Sequence, residues 1–133
     1  TMKPFEGAEE FLSWARSNFQ VTIVSDTFYE LAWPLVEKLK FPSIICHHLN
    51  IEQDKIKGYR LRQKNNKQKV IEALKSLNFE VFAAGDSYND INMLNESDLG
   101  VFFQAPKHIK KEYPNLLTAD SHEDLKKILI DKI

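Results

Sequence analysis

Apolar residues at Ala8, Phe11, Leu12, Ala15 and Phe19 recur at the i, i+3, i+4 spacing that lines one face of a helix. The spacing predicts a helix there, feeding a short β-rich strand from Val21 to Val24 that the pattern reads as buried. Beyond Ser25-Asp26-Thr27, the stripe Phe28, Leu31, Ala32, Leu35, Val36 and Leu39 predicts a second helix of the kind that covers a sheet face. Pro34 inside it lacks an N–H, so one backbone bond is lost and a bend is expected. Ser43 to Cys46, entered from Phe41-Pro42, predicts a second buried strand. Between 47 and 64 the pattern changes to polar alternation around Asp54-Lys55 and Gly58, which predicts an exposed hairpin or extended excursion.

Helical spacing returns from Lys67 to Leu77 through Val70, Ile71, Leu74 and Leu77. Val81 to Ala84 then predicts a third apolar strand, ending at Gly85-Asp86, with a helix from about Tyr88 to Leu94 and a fourth strand at Val101 to Phe103. Ser121-x-x-Asp124 ahead of Leu125, Ile128 and Leu129 has the form of a capping box opening a terminal helix. No repeat, low-complexity stretch or linker interrupts the chain, so residues 1–133 read as one domain. Helices alternating with short apolar strands predict an α/β fold, a mostly parallel sheet covered on both faces.

Composition narrows the partners. The chain has 133 residues, with 18 Lys+Arg against 19 Asp+Glu and a net charge of −1, and no run of like charges. Nucleic-acid binders concentrate basic residues on one face, so no nucleic acid is expected. No window nears the roughly 20 apolar residues of a membrane span, and no basic segment leads into an apolar one at the N-terminus. The chain is therefore read as cytoplasmic, and its lone Cys46, which forms no internal disulfide, agrees. Thr1 ahead of Met2 is set aside as a cloning remnant, and the sequon at Asn95-Glu96-Ser97 as chance. Glycines stand only at 7, 58, 85 and 100, which excludes both the dinucleotide fingerprint and the P-loop.

In open α/β sheets ligands bind beyond the carboxyl ends of the strands, which singles out Ser25-Asp26-Thr27 and Gly85-Asp86-Ser87-Tyr88-Asn89-Asp90. Asp86 leaves a strand tip and Asp90 follows four residues later in the first helical turn, so two carboxylates can converge. Hard oxygen ligands of this kind suit Mg²⁺, completed by water and substrate phosphate. Ser25 offers a hydroxyl and neighbouring N–H groups to a phosphate, and Lys67, opening a helix, an ammonium for a transferring phosphoryl group. Singly, each has a plainer reading: Ser25 or Thr27 as a helix cap, Lys67 as a solvated lysine, Gly85-Asp86 as a turn. The adjacent His47-His48 pair faces opposite sides of a strand and is a poor metal site, and Cys46 reads as a small buried hydrophobe.

In combination these pieces are far more specific. A hydrophobic strand ending in Ser25, a helix-opening Lys67 and a strand ending Gly85-Asp86-x-x-Asn89-Asp90 resemble, in order, motifs II, III and IV of the haloacid dehalogenase (HAD) superfamily. The stretches Pro4-Phe5-Glu6-Gly7-Ala8, Val24-Ser25-Asp26-Thr27-Phe28-Tyr29-Glu30, Gly58-Tyr59-Arg60-Leu61-Arg62-Gln63-Lys64 and Ala83-Ala84-Gly85-Asp86-Ser87-Tyr88-Asn89-Asp90 look like the phosphoserine phosphatase group. They are most similar to its bifunctional phosphoserine phosphatase/homoserine phosphotransferase branch. The resemblance implies a three-layer Rossmann-like core and Mg²⁺-dependent phosphoryl transfer through an aspartyl-phosphate, acting on a small phosphorylated metabolite. It implies that Ser25 holds phosphoryl oxygens, with Asp26 and Asn89 as further phosphate- or substrate-binding residues, that Lys67 stabilises nucleophile and phosphate, and that Asp86 and Asp90 serve the metal. Ser25-Asp26-Thr27 departs from the Ser-Gly-Gly of ordinary members, so their substrate contacts do not transfer directly.

The family's first motif, D-x-D-x-[TV], supplies the nucleophile and the general acid/base, and no D-x-D occurs in this sequence. The likeness begins after that motif and the helical cap, so the chain corresponds to a C-terminal portion: a fragment, half of a split gene, or a truncated homologue. The missing first strand is central in the family's sheet, between the strands matching Val21 to Val24 and Val81 to Ala84. Its slot is expected to be filled by an N-terminal segment, by a second chain, or by direct pairing of the two strands. The expectation is a phosphatase core segment inactive alone, with a non-catalytic regulatory or partner-binding module as the alternative. A two-component receiver domain is rejected by order, since its Ser/Thr and Lys follow the phosphoacceptor Asp, whereas Ser25 and Lys67 precede Asp86.

Overall fold

The computed structural model describes residues 7–40, 43–52, 55–60 and 66–132. They fall into two compact units, Thr1–Asn66 and Lys67–Ile133.

In the first unit, helix α1 (Ala8–Asn18) starts from Gly7, whose φ of 84° lies in the left-handed region that a side chain resists. Glu9 and Glu10 in its first turn and Arg16 in its last complement the helix dipole. The predicted stripe turns Ala15 inward, and the Trp14 ring lies 6.0 Å from both Phe11 and Phe19. Strand β1 (Thr22–Phe28) runs parallel to β2 (Ser43–Glu52), with Thr22, Ile23 and Val24 opposite Ser43, Ile44 and Ile45. The strand expected to stop at Val24 continues to Phe28, and its register breaks between those two residues. Helix α2 (Tyr29–Lys38) follows directly and passes through Pro34. Beyond it Lys40 takes φ 62°, and its carbonyl accepts a hydrogen bond from the Arg16 guanidinium at 3.2 Å. β2 outruns the expected Ser43 to Cys46 strand because its second half pairs antiparallel with β3 (Lys55–Arg60). The polar alternation after residue 47 is this hairpin, bulged between Asn50 and Ile51.

The second unit opens with α3 (Asn66–Ser76) and continues through β4 (Phe82–Gly85), a 3-10 turn at Tyr88–Asp90, and α4 (Ile91–Glu96). Next come β5 (Leu99–Phe103), α5 (Lys107–Glu112), β6 (Leu117–Ala119) and α6 (His122–Ile130). The strands form an all-parallel sheet in the order β4-β5-β6. Its core gathers Ile71 from α3, Val81, three residues of α4 (Ile91, Met93 and Leu94), Phe102 from β5, Ala105 and Ile109. Gly100 is needed where β5 passes α4, because a Cβ there would overlap the Leu94 backbone. The Asp98 carboxylate accepts from the Val81 N–H at 2.7 Å and so ties the entry of β4 to that of β5. Ser121 caps α6 as its sequence predicts, its hydroxyl accepting from the Asp124 N–H at 3.1 Å.

Two elements differ from expectation by being there at all: α5 and β6 were not predicted. Both are short, α5 burying only Ile109 and β6 only Ala119, so neither writes a periodic stripe. A third difference concerns β4, expected as an apolar strand of a sheet covered on both faces. Ala84 is exposed, because β4 lies at the edge of its sheet and has a strand partner on one side only among the described residues. Among the described residues β1 is likewise the edge of its own sheet, ordered β1-β2-β3.

Candidate functional site

The stretch after β4 is built around one buried carboxylate. Asp90, at the end of the 3-10 turn, leaves only 5% of its side chain accessible, and its two oxygens divide the work. Oδ1 takes the Lys67 ammonium at 2.5 Å, from the first turn of α3. Oδ2 accepts from the Asp86 N–H at 2.9 Å, the Ser87 N–H at 3.2 Å and the Ser87 hydroxyl at 3.3 Å. Hydrogen bonds to a charged group are the strong ones, so one side chain fixes both the turn and the lysine. Gly85 makes this possible, since a Cβ at that position would lie 2.5 Å from Asp90 Cγ and 2.6 Å from Oδ2. The glycine and the second aspartate of Gly85-Asp86-x-x-Asn89-Asp90 are two halves of one close contact.

Burial by itself pushes the Asp90 carboxyl up, as it does any charge removed from water. The Lys67 hydrogen bond and charge, with the Asp86 and Ser87 N–H groups, outweigh that and hold Asp90 below its ordinary value. Asp90 is therefore an anion at neutral pH, and Lys67 is held against it.

The other predicted residues are placed as follows. Lys67 and Asp90 are in direct contact, while Asp86 meets Asp90 through its backbone N–H. The Asp86 side chain is exposed at the carboxyl end of β4 and makes no hydrogen bond or ion pair among the described residues. Asn89 is exposed in the same turn. Ser25 and Asp26 belong to the first unit and lie within β1, across its register break, rather than beyond a strand tip. Ser25 is half-buried, and the Asp26 side chain is outside the described residues.

A divalent ion fits part of this arrangement. Asp86 is an unengaged hard oxygen donor where ligands of parallel sheets bind, which matches Mg²⁺ held by one carboxylate with water and phosphate completing its shell. Among the described residues no group of three or more His, Cys, Asp or Glu gathers as a dedicated metal cage. Ser87 was given no role from sequence, although Ser87-x-x-Asp90 is the same capping signal that opens α6. Tyr88, exposed and 6.2 Å ring to ring from His108 on α5, was also passed over, and nothing in its local pattern points to α5.

Residues 1–95 match the family model of the haloacid dehalogenase-like hydrolases. The chain is 49% identical over 128 residues to the phosphoserine phosphatase ThrH of Pseudomonas aeruginosa, a match covering 96% of the chain and 62% of that protein. It is 47% identical over 131 residues to a phosphoserine phosphatase of Pseudomonas syringae pv. tomato, covering 98% of the chain and 55% of the relative. The chain thus spans a little over half the length of these curated relatives. A solved phosphoserine phosphatase in its apo form superposes with a TM-score of 0.75 at 25% identity, over 95% of this chain and 66% of that one. A substrate-bound phosphoserine phosphatase gives 0.72 at 25% identity, over 95% and 62%.

Proposed function

The chain belongs to the haloacid dehalogenase-like hydrolases, and from that membership we propose that it carries the metal- and phosphate-handling part of a Mg²⁺-dependent phosphoserine phosphatase. The observation that carries the proposal is the Asp90 clamp, which orders Lys67 and the Gly85–Asp90 turn while leaving the Asp86 carboxylate exposed. In this reading Asp86 holds the metal, and Asp90 supports the metal site by fixing the turn. Lys67, aimed by Asp90, stabilises the negative charge of nucleophile and phosphate. Asn89 donates to phosphate from the same turn, and Ser25 and Asp26 contribute further phosphate or substrate contacts. Mg²⁺, when bound, neutralises phosphate charge and favours attack at phosphorus.

The substrate is a small phosphorylated metabolite, phosphoserine by likeness to the relatives, and the cytoplasm is its place in the same reading. Among the described residues no helix is long and apolar enough to cross a membrane. The nucleophile must come from elsewhere, because the sequence contains no D-x-D. We propose that this polypeptide gives no turnover by itself, and that a segment or second chain bearing D-x-D both completes the sheet and supplies the attacking aspartate. The test is Mg²⁺-dependent phosphate release from phosphoserine by polypeptide of verified mass, with and without an added D-x-D segment. Release only with the segment is expected, and release without it overturns the proposed division of labour.

One observation favours the second reading, a non-catalytic regulatory or partner-binding module: among the described residues β4 has a strand partner on one side only, an edge to which another chain can add a strand. No release under either condition, together with no Mg²⁺ binding, decides for the module.

A further inference from the structure

We propose that Lys75, at the far end of α3 from the site, is a positioning residue for Lys67: it fixes the register of α3 against α4 and so sets where the Lys67 ammonium stands beside the Gly85–Asp90 turn. The proposal rests on the reading of Lys67 as the phosphate-stabilising cation for its effect on phosphate binding. Its structural part stands apart from that reading.

Lys67, Ile71, Leu74 and Lys75 follow the i, i+4, i+7, i+8 spacing that lines one face of a helix. The middle of this face is apolar, Ile71 belonging to the core and Leu74 packing against it. Its two ends are lysines, and each takes one end of α4. Lys67 meets the Asp90 carboxylate just ahead of α4, and the Lys75 ammonium donates to the carbonyl of Glu96, the last residue of α4, at 3.0 Å. The lysines stand about 12 Å apart along α3, and Asp90 and Glu96 about 9 Å apart along α4, by the rise per residue of a helix. The two helices therefore run side by side in the same direction, joined at both ends. A cation at the Glu96 carbonyl also suits the negative end of the α4 dipole.

The far contact is also where the strands begin. The Lys75 ammonium lies 4.0 Å from Asp98 Oδ1, and Asp98 exchanges two hydrogen bonds with Val81. Its Oδ2 accepts from the Val81 N–H at 2.7 Å, and its own N–H donates to the Val81 carbonyl at 2.8 Å. Val81 leads into β4, which delivers Gly85 and Asp86 to the site. The elements from which Lys67, Asp90 and Asp86 extend thus have their far ends joined through Lys75 and Asp98. Apolar packing of Ile71 and Leu74 is non-directional, whereas a hydrogen bond to one fixed carbonyl selects a single axial setting of α3. That setting is what places Lys67.

The test uses the whole polypeptide and reads the proton–nitrogen NMR signal of the Lys67 ammonium, together with binding of inorganic phosphate in the presence of Mg²⁺. Lys75→Met keeps a straight, helix-compatible side chain and removes the donor. It is expected to move the Lys67 signal toward that of a solvated lysine and to weaken phosphate binding about threefold, the low end for one hydrogen bond, with the urea midpoint near the parent's. Lys75→Arg restores a donor of the kind that the Arg16 guanidinium already offers the Lys40 carbonyl, and is expected to return both readings to the parent's. Ser76→Ala removes a hydroxyl that bonds back to the Ala73 carbonyl of its own helix at 2.6 Å, and is expected to change neither. A Lys67 signal unmoved in Lys75→Met, or moved equally in Ser76→Ala, overturns the proposal, and so does a Lys75→Arg variant that behaves like Lys75→Met. If the parent binds no phosphate, the phosphate reading of Lys67 fails, and the Lys67 signal still decides whether Lys75 positions it.

Discussion

Ser25-Asp26-Thr27-Phe28-Tyr29-Glu30 and Gly85-Asp86-Ser87-Tyr88-Asn89-Asp90 are written in one grammar. Each follows an apolar strand with a small residue, an aspartate, a hydroxyl and an aromatic, and each closes on an acid. They fold differently. The first stays extended to Phe28 and enters α2 at Tyr29, whereas the second leaves β4 at Gly85, makes a 3-10 turn and enters α4 at Ile91. The small residue decides between them. Only glycine lets the closing acid fold back on the strand end, since any Cβ at 85 would meet the Asp90 side chain at 2.5 to 2.6 Å. Ser25 carries that Cβ, so a clamp of this kind cannot form around it. A site that looks duplicated in sequence is thus a rigid turn at one place and a strand with a broken register at the other.

Removing the clamp's centre is the strongest way to break this contrast. Asp90→Ala leaves the Lys67 ammonium, 19% exposed, without its partner and strips two N–H groups and a hydroxyl of their acceptor. Breaking a largely buried pair in this manner is expected to cost about 3 kcal/mol, read as a lowered midpoint in urea unfolding. If Asp90→Ala unfolds at the parent midpoint, the clamp is not what holds the turn. Gly85→Ala comes next. It keeps every hydrogen-bonding group but forces Asp90 to move, and overpacking of this degree is expected to cost about 2 kcal/mol. Weakened protection of the Asp86 and Ser87 amides would show that the damage is local to the turn.

Most elements were readable because their apolar positions repeat with one period over enough residues. α1, α3 and α6 write such stripes, and their ends carry signals of their own, Gly7 for α1 and Ser121 for α6. α5 and β6 escaped because each offers the core a single side chain, Ile109 or Ala119, and one residue has no period. The length of β2 escaped for another reason. Its second half is held by antiparallel pairing with β3, and pairing partners are not written in a local pattern. In the candidate site the sequence singled out Lys67, Asp86, Asn89 and Asp90, which the structure places in one unit with Lys67 against Asp90 and the other two in the same turn, but the way they divide was not legible. Spacing alone suggested two carboxylates turned to one ion. Asp90 is instead occupied by Lys67 and the backbone, a distinction that depends on Gly85 allowing the approach.

Acid provides a milder way to undo the same clamp. Because the folded state holds Asp90 below its ordinary carboxyl value, Asp90 stabilises the fold fully at pH values above the unfolded carboxyl pKa. That contribution fades as pH falls from there through the lowered folded value. The difference in unfolding free energy between the parent and Asp90→Asn should therefore shrink between weakly acidic pH and the region below the usual carboxylate range. Urea unfolding of both at a series of pH values measures it. A difference that stays constant through that window would mean that Asp90 carries no depressed carboxyl.

Ser87→Ala is the smallest and the most discriminating of these changes. It deletes a hydroxyl that lies 3.3 Å from Asp90 Oδ2, at the long end for a hydrogen bond to a carboxylate, and leaves the Ser87 N–H on the same oxygen at 3.2 Å. The Asp86 N–H, at 2.9 Å, is also untouched. With two donors and the lysine still in place, the expected cost is about 0.5 kcal/mol. Its pattern matters more than its size. If the turn is held chiefly by backbone donors converging on one carboxylate, Asp86 exchange protection should survive in Ser87→Ala and vanish in Asp90→Ala. If the hydroxyl is the essential cap, both variants should lose it equally. In that event the Asp90 clamp reduces to an ordinary S-x-x-D cap, and the contrast with the Ser25 strand rests on Gly85 alone.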